Sequence, residues 1–248
     1  MNGQMTIDAA SSHPLVARGF AAGLAAGASH WHPGLSAAVR HSDIFASAGE
    51  AGGAGLALAL ALGQADRGHT ERPWLWVQDK AARRLGGRPY RPGLPAGLRH
   101  RLIHVAANRP EDALFALEEG LRCRDLAFVV GEIAGNPRAL GLTASRRLSL
   151  AAEKHGIALW LVRLDAARDL GSARMRWEVR SAPSPQPRWN ASAPGIAAWE
   201  AGLFRAHTWR PGRWVLEDRE AGLGVRASTG SARADVEEPF ESKNIRSA

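Results

Sequence analysis

Residues 102–130 read LIHVAANRPEDALFALEEGLRCRDLAFVV. Two apolar runs, Leu102–Val105 and Leu126–Val130, enclose a segment that opens on Pro110-Glu111-Asp112 and sets Leu114, Leu117 and Leu121 on one face. Proline suits a first helical turn, carboxylates favour its positive end, and the leucine spacing is that of a buried helical stripe. The stretch therefore reads as strand, helix, strand. Outward from it lie two more apolar runs, Trp74–Val77 and Ala158–Val162, and the four starts are 28, 24 and 32 residues apart. That spacing is what a strand, a crossover helix and the next parallel strand require. Thr143 is placed to cap a further helix that passes Leu148 and Ala152 and stops at Gly156; Ala54–Leu62 is another. The pattern predicts an α/β domain with a mostly parallel sheet covered on both faces.

Beyond Val162 the texture changes. Met175–Val179 and Arg213–Leu216 read as strands, separated by the proline-rich Pro183-Ser184-Pro185-Gln186-Pro187. Two or three antiparallel strands at the C-terminal edge of the sheet are expected. Residues 1–40 read as a loosely ordered arm with one weak helix at Phe20–Ala26, residues 41–217 as the α/β domain, and residues 218–248 as a disordered polar tail.

The chain has 248 residues, 45% of them hydrophobic, which suffices for one sizeable core. Its 32 basic and 24 acidic residues give a net charge of +8. All but three of the basic residues (Lys80, Lys154 and Lys243) are arginine, and 47 alanines accompany them, a pairing that speaks of coding bias. The single cysteine, Cys123, excludes an intramolecular disulfide framework and a multi-cysteine metal site. No window has the length and apolarity of a membrane span, and Met1–Ala10 lacks the basic start of a signal peptide. A cytoplasmic protein without membrane contact is expected.

The glycine-rich stretch Gly49-Glu50-Ala51-Gly52-Gly53-Ala54-Gly55 precedes the first core helix, where a phosphate-binding loop belongs. Counted from Gly49, Ala54 holds the second glycine position, Gly55 the lysine position and Leu56 the hydroxyl position. Gly49, Gly52, Gly53 and Gly55 thus outline a degenerate loop without its lysine or its Mg²⁺-binding hydroxyl, and Glu50 adds negative charge. Asp79 and Glu132, at the ends of two predicted strands, are vestigial candidates for the acidic partners of such a loop, with solvated strand ends as the simpler reading. Glu132 stands one place late, so its side chain faces the opposite way from position 131. His30 and His32 flank Trp31 without a third ligand, so no metal site is assigned. Cys123, between Arg122 and Arg124, reads as a buried or half-buried cysteine. Arg83, Arg84, Arg88, Arg122, Arg124, Arg146 and Arg147 are candidate contacts to DNA or a protein partner, against a solvated basic surface as the alternative. Of nine tryptophans, Trp76, Trp160 and Trp177 fit core positions, and four crowd the C-terminal third.

Several blocks carry a resemblance. They are Trp74-Leu75-Trp76-Val77-Gln78-Asp79-Lys80, Gly87-Arg88-Pro89-Tyr90, Ala113-Leu114-Phe115-Ala116-Leu117, Val129-Val130-Gly131-Glu132-Ile133, Leu142-Thr143-Ala144-Ser145-Arg146-Arg147 and Arg174-Met175-Arg176-Trp177-Glu178-Val179. In this order, over about Ser42–Glu217, the chain resembles the ImuA family. The resemblance implies a RecA-like core and a non-catalytic accessory role in damage-induced (SOS) mutagenesis. The implied partners are an ImuB-like protein and an error-prone DnaE-type DNA polymerase, with RecA and DNA as further candidates. With the loop so changed, no cofactor is expected; a RecA-type DNA-dependent ATPase binding ATP is the enzymatic alternative, and a SulA-like cell-division inhibitor a third reading.

Overall fold

The computed structural model describes residues 29–30, 39–64, 71–190, 192–220 and 222–226. In chain order its strands are β1 (Ser29–His30), β2 (His41–Ala46), β3 (Trp74–Gln78), β4 (Leu102–Ala106), β5 (Phe128–Ala134), β6 (Ala158–Leu164), β7 (Met175–Ser181), β8 (Ala198–Ala206), β9 (Trp209–Arg210), β10 (Gly212–Arg219) and β11 (Gly222–Arg226). The helices are α1 (Gly52–Gln64), α2 (Lys80–Gly86), α3 (Ala96–Arg99), α4 (Pro110–Arg122) and α5 (Leu142–His155). Nine strands form one sheet in the order β11-β10-β8-β7-β2-β6-β5-β3-β4. From β4 to β7 every pairing is parallel, and β8, β10 and β11 continue it antiparallel. This is the expected α/β architecture, mostly parallel and flanked by helices, with an antiparallel C-terminal edge.

Local chemistry accounts for the helix limits. Asp79 caps α2, its carboxylate accepting from the Ala82 N–H at 2.7 Å. Pro110 opens α4, with Glu111 and Asp112 in the first turn. Gly156 ends α5 in the left-handed region, φ 73°. The start of α5 differs from expectation: Gly141, not Thr143, is its N-cap, and no side chain caps it. Two apolar layers follow from strand alternation. Ile44, Trp76, Val130, Trp160, Val162 and Trp177 pack against Leu56 and Leu60 of α1. Leu75, Val77, Val129, Ile133, Leu159 and Leu161 pack on the other face against Leu117, Leu121 and Leu148 of α4 and α5.

Besides the two-residue strands β1 and β9, three strands of the large sheet escaped the sequence reading. β2 stands at the centre of the sheet, between β6 and β7, yet its sequence His-Ser-Asp-Ile-Phe-Ala looks like surface. β8 supplies Trp199 to the core. β11 lies inside the range assigned to a disordered tail: Gly222–Arg226 pairs with Val215–Arg219 of β10. A polar hairpin is held there by ladder hydrogen bonds and by Leu216, which is fully buried. β7 joins β2 in parallel, so the antiparallel part begins only at β8. In the N-terminal range, Ser29–His30 pairs in parallel with Trp209–Arg210; the expected helix at Phe20–Ala26 and the residues from 227 onward lie outside the described residues.

Candidate functional site

β2 lies between β6 and β7; the chain leaves β2 for β3 on the β6 side, whereas the chain leaving β6 passes to β7 on the other side of β2. The carboxyl ends of β2 and β6 thus border a topological switch point, the usual ligand position in an open α/β sheet. The segment Ser47–Ala51 joins β2 to α1 there. A phosphate would need its backbone N–H groups free. Instead, the Ala48 N–H donates to the Asp165 carboxylate at 2.9 Å and the Gly49 N–H to the Ser47 hydroxyl at 3.1 Å. Glu50 reaches across to β7, where its carboxylate accepts from the Ser181 N–H at 2.7 Å. Hydrogen bonds from Ser181 hold the Glu50 carboxyl below its ordinary range.

The glycines have packing reasons of their own. A Cβ on Gly53 would stand 2.7 Å from the Ala46 Cβ and 3.0 Å from Val162; one on Gly55 would stand 3.1 Å from the Trp199 ring. Gly52 abuts Ser181 in the same way, at 3.2 Å. These glycines let α1 lie close on the sheet. The residues present do not fit a nucleotide phosphate: the Ala48 and Gly49 N–H groups are taken by Asp165 and Ser47, the lysine is missing, and Gly52, Gly53 and Gly55 serve close packing.

Asp79 and Glu132 are not solvated strand ends. Both are buried. Asp79 caps α2, and its own N–H donates to the Glu132 carbonyl at 3.2 Å. Glu132 lies within β5, opposite Gln78 of β3, and faces away from the side occupied by Gly131, as its position requires. The Gln78 amide N–H₂ donates to its carboxylate and, at 2.9 Å, to the Gly87 carbonyl. Burial pushes the Glu132 carboxyl up, against smaller opposing bonds from Gln78 and Trp76. The Gln78 carbonyl oxygen meets His104 Nε2 of β4 at 2.9 Å. Burial, then the charges of Arg88, Arg83 and Arg91, push His104 down.

The candidate arginines do not form one surface. Arg122 is paired with Glu118 at 2.8 Å and Glu119 at 2.6 Å, and Arg147 also bonds Glu118. These pairs tie α4 to α5 and neutralise both guanidiniums. Arg124, in the loop after α4, and Arg146, on α5, are exposed. Arg83, Arg84 and Arg88 sit on and after α2, near the open edge of the sheet. Cys123, expected at least half-buried, is exposed.

Compared with known proteins, the chain is 36% identical over 142 residues to protein ImuA of Caulobacter vibrioides, in strains NA1000 / CB15N and ATCC 19089 / CIP 103742 / CB 15. The match covers 53% of this chain and 55% of that protein. The chain is a relative of protein ImuA. It spans about half the length of the curated ImuA proteins it matches. No protein-family model matches the chain.

In this ImuA relative a further group of buried charges, around Asp43 and Arg176, was not singled out by the sequence. Arg176 of β7 donates from Nε to Asp43 of β2 at 3.2 Å, and its Nη2 lies 3.4 Å from Asp169. Arg163 of β6 grips both oxygens of Asp169 at 3.3 and 3.2 Å and donates to the Gly135 carbonyl at 3.2 Å. Arg176 and Arg163 also stand 4.9 and 5.5 Å from the centre of the Phe45 ring. His41 Nε2 lies 3.3 Å from Asp43, and His41 Nδ1 is 2.7 Å from the Ser149 hydroxyl. Ser, His and Asp in contact suggest nucleophilic chemistry, yet all three are buried. The cluster fixes β2, β6, β7 and the loop carrying Asp169 to one another. Its only sequence signal was Arg176, inside a resemblance block. Among the described residues no group of three or more His, Cys, Asp or Glu is arranged for a metal ion, and no helix is long and apolar enough to cross a membrane.

Proposed function

We propose that this ImuA relative is a non-catalytic, RecA-like accessory protein of damage-induced (SOS) mutagenesis. It acts in the cytoplasm by bringing an ImuB-type factor and an error-prone DnaE-type polymerase together at damaged DNA for translesion synthesis. The kinship to ImuA carries this reading. The loop after β2 supports the non-catalytic part, because Asp165 and Ser47 already occupy the Ala48 and Gly49 N–H groups and Glu50 adds a negative charge beside them, bonded to Ser181 of β7. The ATPase alternative draws no support from that geometry, and nothing in the fold favours division control.

The deciding experiment is association of the purified full chain with its cognate ImuB-type protein, by pull-down and analytical ultracentrifugation. A stable complex is expected, and its absence overturns the adaptor role. Titration with ATP and Mg²⁺, with and without single-stranded DNA, tests the catalytic part. Micromolar nucleotide affinity with turnover would overturn it.

A further inference from the structure

The segment Lys80–Arg109 contains eight basic residues (Lys80, Arg83, Arg84, Arg88, Arg91, Arg99, Arg101 and Arg109) and no aspartate or glutamate. The rest of the chain then holds 32 − 8 = 24 basic and 24 acidic residues. The whole formal charge of +8 therefore resides in one stretch. It folds as α2, a 3-10 turn at Arg91–Gly93, α3 and the edge strand β4.

The cations are arranged along that edge. Arg91 donates to the Leu102 carbonyl at 3.1 Å, at the start of β4, and Arg83 to the Ala107 carbonyl at 3.0 Å, just past its end. Arg88 lies close enough, with these two, to disfavour the charged form of His104 between them. Arg99 donates to the Leu94 carbonyl at 2.6 Å. These bonds orient guanidiniums without neutralising them. Lys80, Arg83, Arg84, Arg88, Arg91 and Arg99 make no ion pair among the described residues, in contrast to Arg122 and Arg147. Two carboxylates beneath are both buried: Glu132 behind Gln78, and Asp79 as the cap of α2. Tyr90 stands between Arg88 and Arg91 with 75% of its surface exposed. The five residues of β4 make a strip roughly 17 Å long.

We propose that the open edge of β4, with Arg83, Arg84, Arg88 and Arg91 along it and Tyr90 projecting from it, binds single-stranded nucleic acid. The guanidiniums take the phosphates, which gives sequence-blind and salt-sensitive binding. Tyr90 stacks on an unpaired base, a contact a duplex does not offer. The surface lies at the far edge of the sheet from the antiparallel strands, and away from the loop after β2. This inference does not rest on the adaptor role: loss of one leaves the other intact.

The test is fluorescence anisotropy of the full chain with a labelled oligo-dT of about 20 nucleotides, against a duplex of equal length and polyglutamate as competitors. Saturable binding is expected, falling roughly 50-fold between about 50 and about 200 mM salt for four phosphate contacts on a single strand. Arg84→Glu with Arg88→Glu should weaken it at least tenfold and flatten the salt dependence. Tyr90→Ala should cost roughly fivefold or more on oligo-dT with the salt slope unchanged. Arg146→Glu should bind like the parent. Thermal melts establish that each variant is folded, since all four side chains are exposed. No saturable binding at low salt overturns the proposal, as does an equal loss in Arg146→Glu. Polyglutamate competing as well as oligo-dT overturns it in favour of an acidic protein partner, and a duplex binding as tightly removes the role of Tyr90.

Discussion

The end of β2 and the edge of β4 use ionic side chains in opposite ways. At the first, carboxylates of Glu50 and Asp165 hold backbone N–H groups. At the second, guanidiniums of Arg83 and Arg91 hold backbone carbonyls. Each is a charged side chain satisfying the main chain, but the first closes a site to anions and the second leaves positive charge facing outward. Between them, on β2 and β7, Asp43 and Arg176 satisfy one another in the interior. Position on the sheet thus decides whether a charge is spent internally or displayed.

The most severe break is at the interior pair. Arg176→Ala leaves the buried Asp43 carboxylate without its guanidinium partner, and removal of one partner of a buried pair costs about 3–5 kcal/mol. Urea denaturation measures it; a loss under about 1 kcal/mol would show that the interior charges are not mutually dependent.

Glu132, behind the β4 edge, gives a smaller effect that is read as a pH dependence. Its carboxyl is raised by burial, so the fold binds that proton more tightly than the unfolded chain. Stability from this group is full below the ordinary carboxylate range and falls as pH rises through it to the folded value. Glu132→Gln keeps the shape and removes the ionisation. Relative to the parent, the variant should gain stability as pH rises above about 4.3. A variant less stable than the parent at pH 7 would mean that the ionised carboxylate is needed by Gln78.

The loop after β2 gives the smallest effect. Glu50 is held low by Ser181, so its contribution is present above the ordinary glutamate range and fades as pH falls through the lowered value. Because solvent screens it, Glu50→Ala should cost less than about 1 kcal/mol at pH 7, and nothing in strong acid. Hydrogen exchange at Ser181 is the sensitive readout. If Glu50→Ala instead created nucleotide binding, the closed loop would prove to be a gate.

The parallel half of the sheet was legible because its strands are continuous apolar runs with two covered faces, as at Leu102–Val105 and Ala158–Val162. β2 was not, because three of its six residues are polar and two of them find partners far away in the chain: His41 in Ser149 of α5, Asp43 in Arg176 of β7. No window of local sequence contains residues 133 positions apart. The glycines marked the junction of β2 and α1, but Gly52, Gly53 and Gly55 lie within α1, and their purpose, close packing of α1 on Ala46, Val162 and Trp199, is a tertiary property. The arginines were legible as a list and not as a surface, since only the fold shows that Glu118 removes Arg122 and Arg147 from it.

The place of β2 also governs how the chain comes together. It is the first strand of the large sheet to be made, yet its neighbours are β6 and β7. From Ala46 to Ala158 the ribosome must add 112 residues, roughly 6–22 s at ordinary rates of synthesis. For that interval the future centre of the sheet has no strand beside it, and closing it afterwards bears the entropy of a long loop. Its composition suits the delay: only Ile44 and Phe45 are large and apolar, so the waiting strand offers little surface for wrong association.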